Sequence, residues 1–347
     1  MIKFLAAILS QTGKDLDLDY ICFKDKLKYG QVLVKIYASG ICGSQINEIN
    51  GTKGKDKYLP HLLGHEGSGK VIEIGQGVKN LKIDDKVILH WRKGVGIESE
   101  TPKYYLNNKK INAGRITTFN EYAVISNNRI TKYDPRKLKS KHAVLFGCAI
   151  PTAFGTINND ANLQIGDSLL IIGLGGIGLN LIKGAKLAGA GCISGIEKNK
   201  QKIKLAKDFG IDEGFSDLVK LTKHIIQKKL NLTFDCVIDT TGHVNLIEKG
   251  YELTSEKGTL VCVGVPKVNN KVNIYTLPLH FGKKIIGSHG GSVNPTYSIP
   301  RYINLLQKDK KFFNKQINYK YNLKEINQAI KDFKIGTSGR IVLKISE

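Results

Sequence analysis

Three residues stand out for what they could bind together. Cys42 lies in Gly40-Ile41-Cys42-Gly43-Ser44, His65 in Gly64-His65-Glu66-Gly67, and Cys148 in Phe146-Gly147-Cys148-Ala149. Two thiolates and one imidazole suit Zn²⁺ and leave a fourth position open, as in a catalytic rather than a structural site. Two thiolate charges offset the metal charge, while the ion stays a Lewis acid that eases deprotonation of an alcohol. The three lie too far apart in the chain for a local zinc finger. Spacing alone therefore does not join them, and each taken singly reads more simply as structural.

A second stretch carries a different chemistry. Ser168-Leu169-Leu170-Ile171-Ile172 is an apolar run, and Gly173-Leu174-Gly175-Gly176-Ile177-Gly178 follows it at the start of a helical pattern. Glu197 ends the next apolar run, roughly 20 residues further on, which is the context a dinucleotide fingerprint needs. Gly173 makes the turn, and Gly175 lets backbone N–H groups approach a pyrophosphate at the positive end of a helix. Gly178 allows the helix to pack on the strand, and Glu197 can accept hydrogen bonds from the adenosine ribose.

The elements that must position these groups fall into two patterns. Residues 1–150 read as short strands, among them 4–9, 31–39, 69–74, 86–90 and 122–126. A helix over 143–154 is expected to break at Pro151. From about residue 161, strands at 168–172, 192–196, 234–239 and 259–263 alternate with helices at 177–188, 200–209 and 244–253. Apolar strands separated by amphipathic helices indicate a doubly wound parallel sheet. Residues 284–287 supply a last strand, 297–307 and 323–334 helices, and 340–345 a closing strand.

Bulk properties bound the function classes. With 347 residues, 41% hydrophobic and 24% charged, the chain is globular and long enough for about two domains. No apolar run reaches the roughly 18 residues of a membrane span. The apolar start is too short for a secretory signal. The 53 basic residues exceed the 30 acidic ones, for a net charge of +23. The lysines are scattered, without a block of like charges. This reads as a solvated surface that attracts anionic ligands rather than a nucleic-acid-binding one. The six cysteines form no C-x-x-C pair. That suits a reduced, cytoplasmic protein, with Cys192, Cys236 and Cys262 as core residues.

The motifs taken together resemble the zinc-dependent medium-chain alcohol dehydrogenases over nearly the whole chain. The resemblance rests on Gly64-His65-Glu66-Gly67-Ser68-Gly69 with Gly75 and Val78, on Gly40-Ile41-Cys42-Gly43-Ser44, and on Gly147-Cys148 with Pro151-Thr152. The glycine loop, Glu197 and the ending Ser338-Gly339-Arg340-Ile341-Val342 also fall in place. It implies an α/β protein with a mainly β GroES-like catalytic domain over 1–150 and a Rossmann domain over 151–292. Residues 293–347 would return to the first domain.

The resemblance further implies that Cys42, His65 and Cys148 hold zinc, with Glu66 a nearby carboxylate and an alternate ligand. Thr152, Ile177 and Val263 would contact the nicotinamide region. Gly173, Gly175, Gly176 and Gly178 would form the pyrophosphate turn, Glu197 and Lys202 would hold the adenosine ribose, and Arg340 the pyrophosphate. Hydride would pass between an alcohol carbon and the nicotinamide, and Ser44 would pass on the alcohol proton. The cofactor expectation is NAD, with NADP the other candidate. A polyol, a sugar and an anionic alcohol are candidate substrates, and a homodimer or homotetramer is the expected assembly.

Departures from the family pattern refine this. The region from Trp91 to Gly114, where many relatives carry four cysteines for a structural zinc, has none, so one zinc per chain is expected. Asn47 stands where a relay histidine is common, and an amide is no base near neutral pH. Gln45 stands where a metal-supporting aspartate is common, and can hydrogen-bond without charge. His90, Trp91 and Arg92 follow a strand at the expected substrate cleft. Trp91 would form a wall, and Arg92 beside Lys93 a donor fork for an anion. Two competing readings are a zinc-free reductase, disfavoured by the three ligands, and a non-catalytic nucleotide- or nucleic-acid-binding protein on the same fold.

Overall fold

In the strand Ile2–Leu9 every residue from Phe4 onward is buried. Such two-sided burial requires the strand to be covered on both faces, and the surrounding sheets provide that cover. The computed structural model describes all residues except 53, 228–232, 337, 338 and 347. Ser338 of the expected closing motif therefore lies outside the described residues. The chain divides into two compact units, Met1–Cys148 with Asn294–Glu347, and Ala149–Val293.

The first unit is mainly antiparallel. One sheet runs in the order His61–Leu62, Ile2–Leu9, Asp17–Phe23, Tyr104–Leu106, Lys109–Ile111. The other runs Ile130–Lys132, Lys86–His90, Glu66–Ile74, Gln31–Gly40, Arg340–Lys344, Ile317–Asn318, with Tyr122–Ser126 also paired to Gln31–Gly40. Val34, Val71, Leu89, Phe119, Ile125 and Leu343 meet in its core. The C-terminal strand pairs antiparallel with Gln31–Gly40, Val342 opposite Gly40, and so carries Arg340 back toward Cys42.

The second unit is a six-stranded parallel sheet. Its order is Glu213–Phe215, Cys192–Ile196, Ser168–Ile172, Phe234–Asp239, Thr254–Cys262, Lys284–Gly287. After Ser168–Ile172 the chain builds outward on one side, then returns to build on the other. The carboxyl end of Ser168–Ile172 is thus the switch point where open α/β sheets form a ligand crevice. Among the described residues no helix is long and apolar enough to cross a membrane.

Three local expectations change. The helix expected over 143–154 is split into Ser140–Ala143, a tighter turn at Val144–Gly147, and Ala149–Gly155. The break falls at Cys148 (φ −149°, ψ −66°). Pro151 sits inside the first turn of the last helix, where its missing N–H has no intrahelical acceptor to lose. Cys192 is exposed rather than core, because it opens its strand at the sheet's amino end. Helices Gly43–Ile49, Leu218–Gln227 and Lys310–Gln316 were not evident from the apolar pattern.

Candidate metal centre and nucleotide loop

Cys42 caps the helix Gly43–Ile49 in an extended conformation (φ −111°, ψ 146°). Its N–H donates to Gln45 Oε1 at 3.4 Å, so Gln45 supports the backbone of the cysteine. His65 leads into the strand Glu66–Ile74, where Glu66 pairs with His90. Cys148 lies at the helix break. A Cβ at Gly147 would come within 2.4 Å of the Leu89 carbonyl oxygen and 2.8 Å of Glu66 Cβ. Only glycine lets the Cys148 turn lie against the sheet so closely. The result is that one ligand atom each of Cys42, His65 and Cys148 lie within 4.8 Å of one another.

The charges of this cluster explain what it is suited to hold. A hydrogen bond from the Cys148 thiol holds the Cys42 pKa well below the usual thiol range against the effect of burial, with Arg340 and His65 assisting. The same hydrogen bond and burial push Cys148 well up. The two sulfurs thus share one proton. Burial disfavours the charged form of His65, but the Cys42 thiolate overrides this and raises its pKa. His65 Nε2 is nonetheless buried with no hydrogen-bond partner. A divalent cation that replaces the shared proton satisfies both sulfurs and the orphaned nitrogen together. The donor set fits zinc.

Behind the ligands lies a buried ion pair. Glu66 is fully buried and Arg340 is 4% exposed, and Arg340 Nη2 donates to Glu66 Oε1. Burial raises the Glu66 pKa while Arg340 opposes that rise. Glu66 in turn keeps Arg340 charged despite its burial. Glu66 Oε2 and Arg340 Nε have no hydrogen-bond partners among the described residues. Sequence reasoning set Arg340 on the pyrophosphate and did not anticipate the partner that engages its guanidinium.

The glycine loop has its own tight construction. A Cβ at Gly178 would meet the Gly173 carbonyl oxygen at 2.2 Å, whereas one at Gly175 would meet nothing within 4 Å. Gly178 is thus fixed by packing and Gly175 faces open space at the start of the helix Gly176–Ala188, which also carries Ile177. Thr240 Oγ1 donates to the Ile172 and Gly173 carbonyls at 3.0 and 2.9 Å. Glu197 Oε2 accepts from Leu174 N–H at 3.2 Å and Oε1 from Asn199 N–H at 3.0 Å. The carboxylate therefore also braces the loop, a role the fingerprint did not suggest. Lys202 lies in the first turn of Lys200–Phe209. Val263 follows its strand, its N–H bonded to Asp239 O at 2.8 Å. Thr152 is buried in Ala149–Gly155.

Ser44 and Asn47 lie on the helix Gly43–Ile49, both half-buried. Trp91 and Arg92 are half-buried after the strand Lys86–His90, with the Arg92 guanidinium 5.9 Å from the Trp91 ring centre. His90 fixes this turn. Its Nδ1–H donates to Arg92 O at 2.7 Å and its Nε2 contacts Thr131 Oγ1 at 3.0 Å. Burial pushes the His90 pKa down to about 4, so it is a neutral strut.

Comparison with known proteins agrees with this chemistry. Residues 28–135 match the alcohol dehydrogenase GroES-like domain, and residues 176–308 the zinc-binding dehydrogenase domain. The S-(hydroxymethyl)glutathione dehydrogenase of Synechocystis is 27% identical over 99% of this chain and 100% of its own length. Benzyl alcohol dehydrogenase from Acinetobacter calcoaceticus superposes with a TM-score of 0.87 at 24% identity, covering all of both chains. An alcohol dehydrogenase from Escherichia coli CFT073, solved with NADH, gives 0.80 at 19% identity over 99% of each. These matches favour the oxidoreductase reading over the non-catalytic one. The chain belongs to the zinc-type alcohol dehydrogenase family, oxidoreductases that act on CH–OH groups.

Proposed function

We propose that this chain interconverts an alcohol and its carbonyl product with NAD(H), using one zinc held by Cys42, His65 and Cys148. The observation that carries the reading is the convergence of one ligand atom each from those three residues within 4.8 Å, with His65 Nε2 buried and without a hydrogen-bond partner among the described residues. When bound, zinc supplies Lewis-acid polarisation of the substrate oxygen. Cys42 and Cys148 supply the compensating charge. Glu66, with one free oxygen, serves as the exchangeable carboxylate, and Arg340 opposes the rise in pKa that burial imposes on it. Ser44 takes the alcohol proton, and because the Asn47 amide cannot accept it, water or another group carries it out. On the second unit, the N–H groups at Gly175 and Gly176 bind the pyrophosphate, and Glu197 with Lys202 the adenosine ribose. Thr152, Ile177 and Val263 orient the nicotinamide.

The absence of cysteine between Trp91 and Gly114 supports a single tightly held zinc. The substrate is a small alcohol, and the net charge of +23 favours an anionic one. The glutathione-linked alcohol in the name of the Synechocystis relative is of that kind. We assign the protein to the cytoplasm as a homo-oligomer, with no nucleic-acid partner. Zinc analysis after exhaustive dialysis, with a panel of neutral and anionic alcohols followed by absorbance of reduced NAD, tests the reading. About one zinc per chain and turnover of at least one alcohol are expected. Two retained zincs, or none, would overturn it.

A further inference from the structure

A second group of metal-binding side chains lies within the first unit, apart from the thiolate cluster. Glu48 ends a turn of the helix Gly43–Ile49, Asp56 lies in the loop that follows, and His61 opens the short strand His61–Leu62. One ligand atom from each falls within 4.8 Å of the others. His61 Nε2 is 2.8 Å from Asp56 Oδ2 and 4.0 Å from Glu48 Oε1. The His61 and Asp56 side chains are 9% and 13% exposed, that of Glu48 38%.

The ring's hydrogen bonding defines what is missing. His61 Nδ1 lies 3.1 Å from the Leu62 carbonyl oxygen. In the neutral tautomer with its hydrogen on Nδ1, that nitrogen donates to the carbonyl and Nε2 presents a lone pair. That lone pair faces two carboxylates, which are acceptors as well. Burial works against ionising Asp56, but the Tyr58 N–H and the His61 ring outweigh it and hold its pKa below the usual range. When Nε2 carries a hydrogen, Asp56 Oδ2 accepts it; a metal ion placed between Nε2 and the two carboxylates takes the position of that hydrogen. A histidine whose far nitrogen is anchored to a backbone carbonyl is the usual posture of a metal ligand. Glu48 and His61 also line a cavity of about 400 Å³ together with Gln45, Tyr58 and His65, which gives an ion a way in.

We propose that Glu48, Asp56 and His61 form a second, exchangeable divalent-cation site with one nitrogen and two carboxylate donors. Two carboxylates and a neutral imidazole balance a doubly charged ion. The set lacks thiolate, so it suits Mn²⁺, Co²⁺ or loosely held Zn²⁺ rather than the soft-ligand binding of the catalytic cluster. Ligand atoms about 2.1 Å from an ion stand about 3 Å apart. The His61–Asp56 spacing is near this already, and the half-exposed Glu48 can close the remaining gap by a side-chain rotation. The ion would tie the loop carrying Asp56 to the helix carrying Glu48.

The test titrates Mn²⁺ into the zinc-loaded, full-length protein and reads free Mn²⁺ by electron paramagnetic resonance. One saturable Mn²⁺ per chain is expected, with nitrogen coupling from histidine in the pulsed spectrum. Glu48→Gln, at a half-exposed position that folding tolerates, should weaken binding by about tenfold or more. Asp56→Asn should do the same, and His61→Gln should remove the nitrogen coupling. Cys42→Ala should lose its zinc yet keep the Mn²⁺ site, which separates this proposal from the catalytic one. No Mn²⁺ bound at millimolar concentration, or affinity unchanged in Glu48→Gln, would overturn it and leave His61 a hydrogen-bond partner of Asp56 only.

Discussion

The candidate metal centre gathers Cys42, His65 and Cys148 from three separate turns and backs them with Arg340 from the far end of the chain, whereas the candidate nucleotide loop is one continuous stretch from Ser168 to Gly178 braced by Glu197. The first is buried and charge-dense: Glu66 and Arg340 are sealed beneath two sulfurs that share a proton. The second presents open backbone at Gly175. The difference is one of what each ligand needs. A catalytic ion must be held by charges with no water competing for them. A pyrophosphate needs only N–H groups and the end of a helix. A centre built from distant parts fails when any part is removed, while a local loop degrades by steps.

The largest effect should come from the ligands themselves. Cys42→Ala or Cys148→Ala leaves two strong donors, and turnover should fall to background with loss of zinc by metal analysis. Nucleotide binding, followed by quenching of NADH fluorescence, should persist, because the loop does not depend on those sulfurs. Loss of both together would break the contrast between the two regions.

The same contrast governs what the sequence revealed. The Ser168–Gly178 stretch and Glu197 were legible because strand, turn and helix follow one another, and each glycine has a local duty. The ligand set was legible only through the motifs around Cys42, His65 and Cys148. Nothing in their spacing requires them to meet. Arg340 was singled out for the pyrophosphate, but its pairing with Glu66 was not legible, since that depends on a C-terminal strand returning to Gln31–Gly40. The break at Cys148 was misplaced at Pro151, because the rule against proline does not apply in the first turn of a helix. Glu48, Asp56 and His61 drew no notice at all. A lone histidine four residues before His65 carries no pattern until the sheet sets it beside two acids.

The buried ion pair gives the next effect. Arg340→Met leaves Glu66 buried without its counter-charge, which costs about 3–5 kcal/mol when one partner of such a pair is removed. Urea unfolding of the zinc-free protein should show that loss. The double variant Glu66→Gln/Arg340→Met should recover much of it. A double variant no more stable than Arg340→Met would mean that the arginine stabilises by packing rather than by charge.

In the nucleotide loop the effect should be smaller and graded. With the adenosine ribose on Glu197, as proposed, a 2′-phosphate would meet its charge, and NAD should be preferred over NADP. Glu197→Gln keeps an acceptor for Leu174 N–H but removes the charge. It should narrow the preference by about 2 kcal/mol, roughly thirtyfold in the ratio of kcat/KM values. Glu197→Ala also releases the loop and should raise KM for both cofactors. An unchanged ratio in both variants would leave Glu197 as a brace alone.

The smallest effect belongs to Arg92, which lies in neither the buried cluster nor the loop. His90 fixes the backbone of this turn through its bond to Arg92 O, and the guanidinium rests near the Trp91 ring. A fork held in that way can meet a phosphate or carboxylate with two hydrogen bonds, although solvent reaches it and weakens them. Arg92→Ala should therefore raise KM for anionic alcohols by about tenfold, the low end of about 1.5 kcal/mol for a charged hydrogen bond, with kcat unchanged. Neutral alcohols should be converted as before. High salt should erode the preference of the native protein in the same direction, because screening acts on the field of the exposed charges and not on the buried centre. A KM that rises equally for neutral and anionic substrates would assign Arg92 to shaping the Trp91 wall, and the preference for anions would then have to come from the net charge alone.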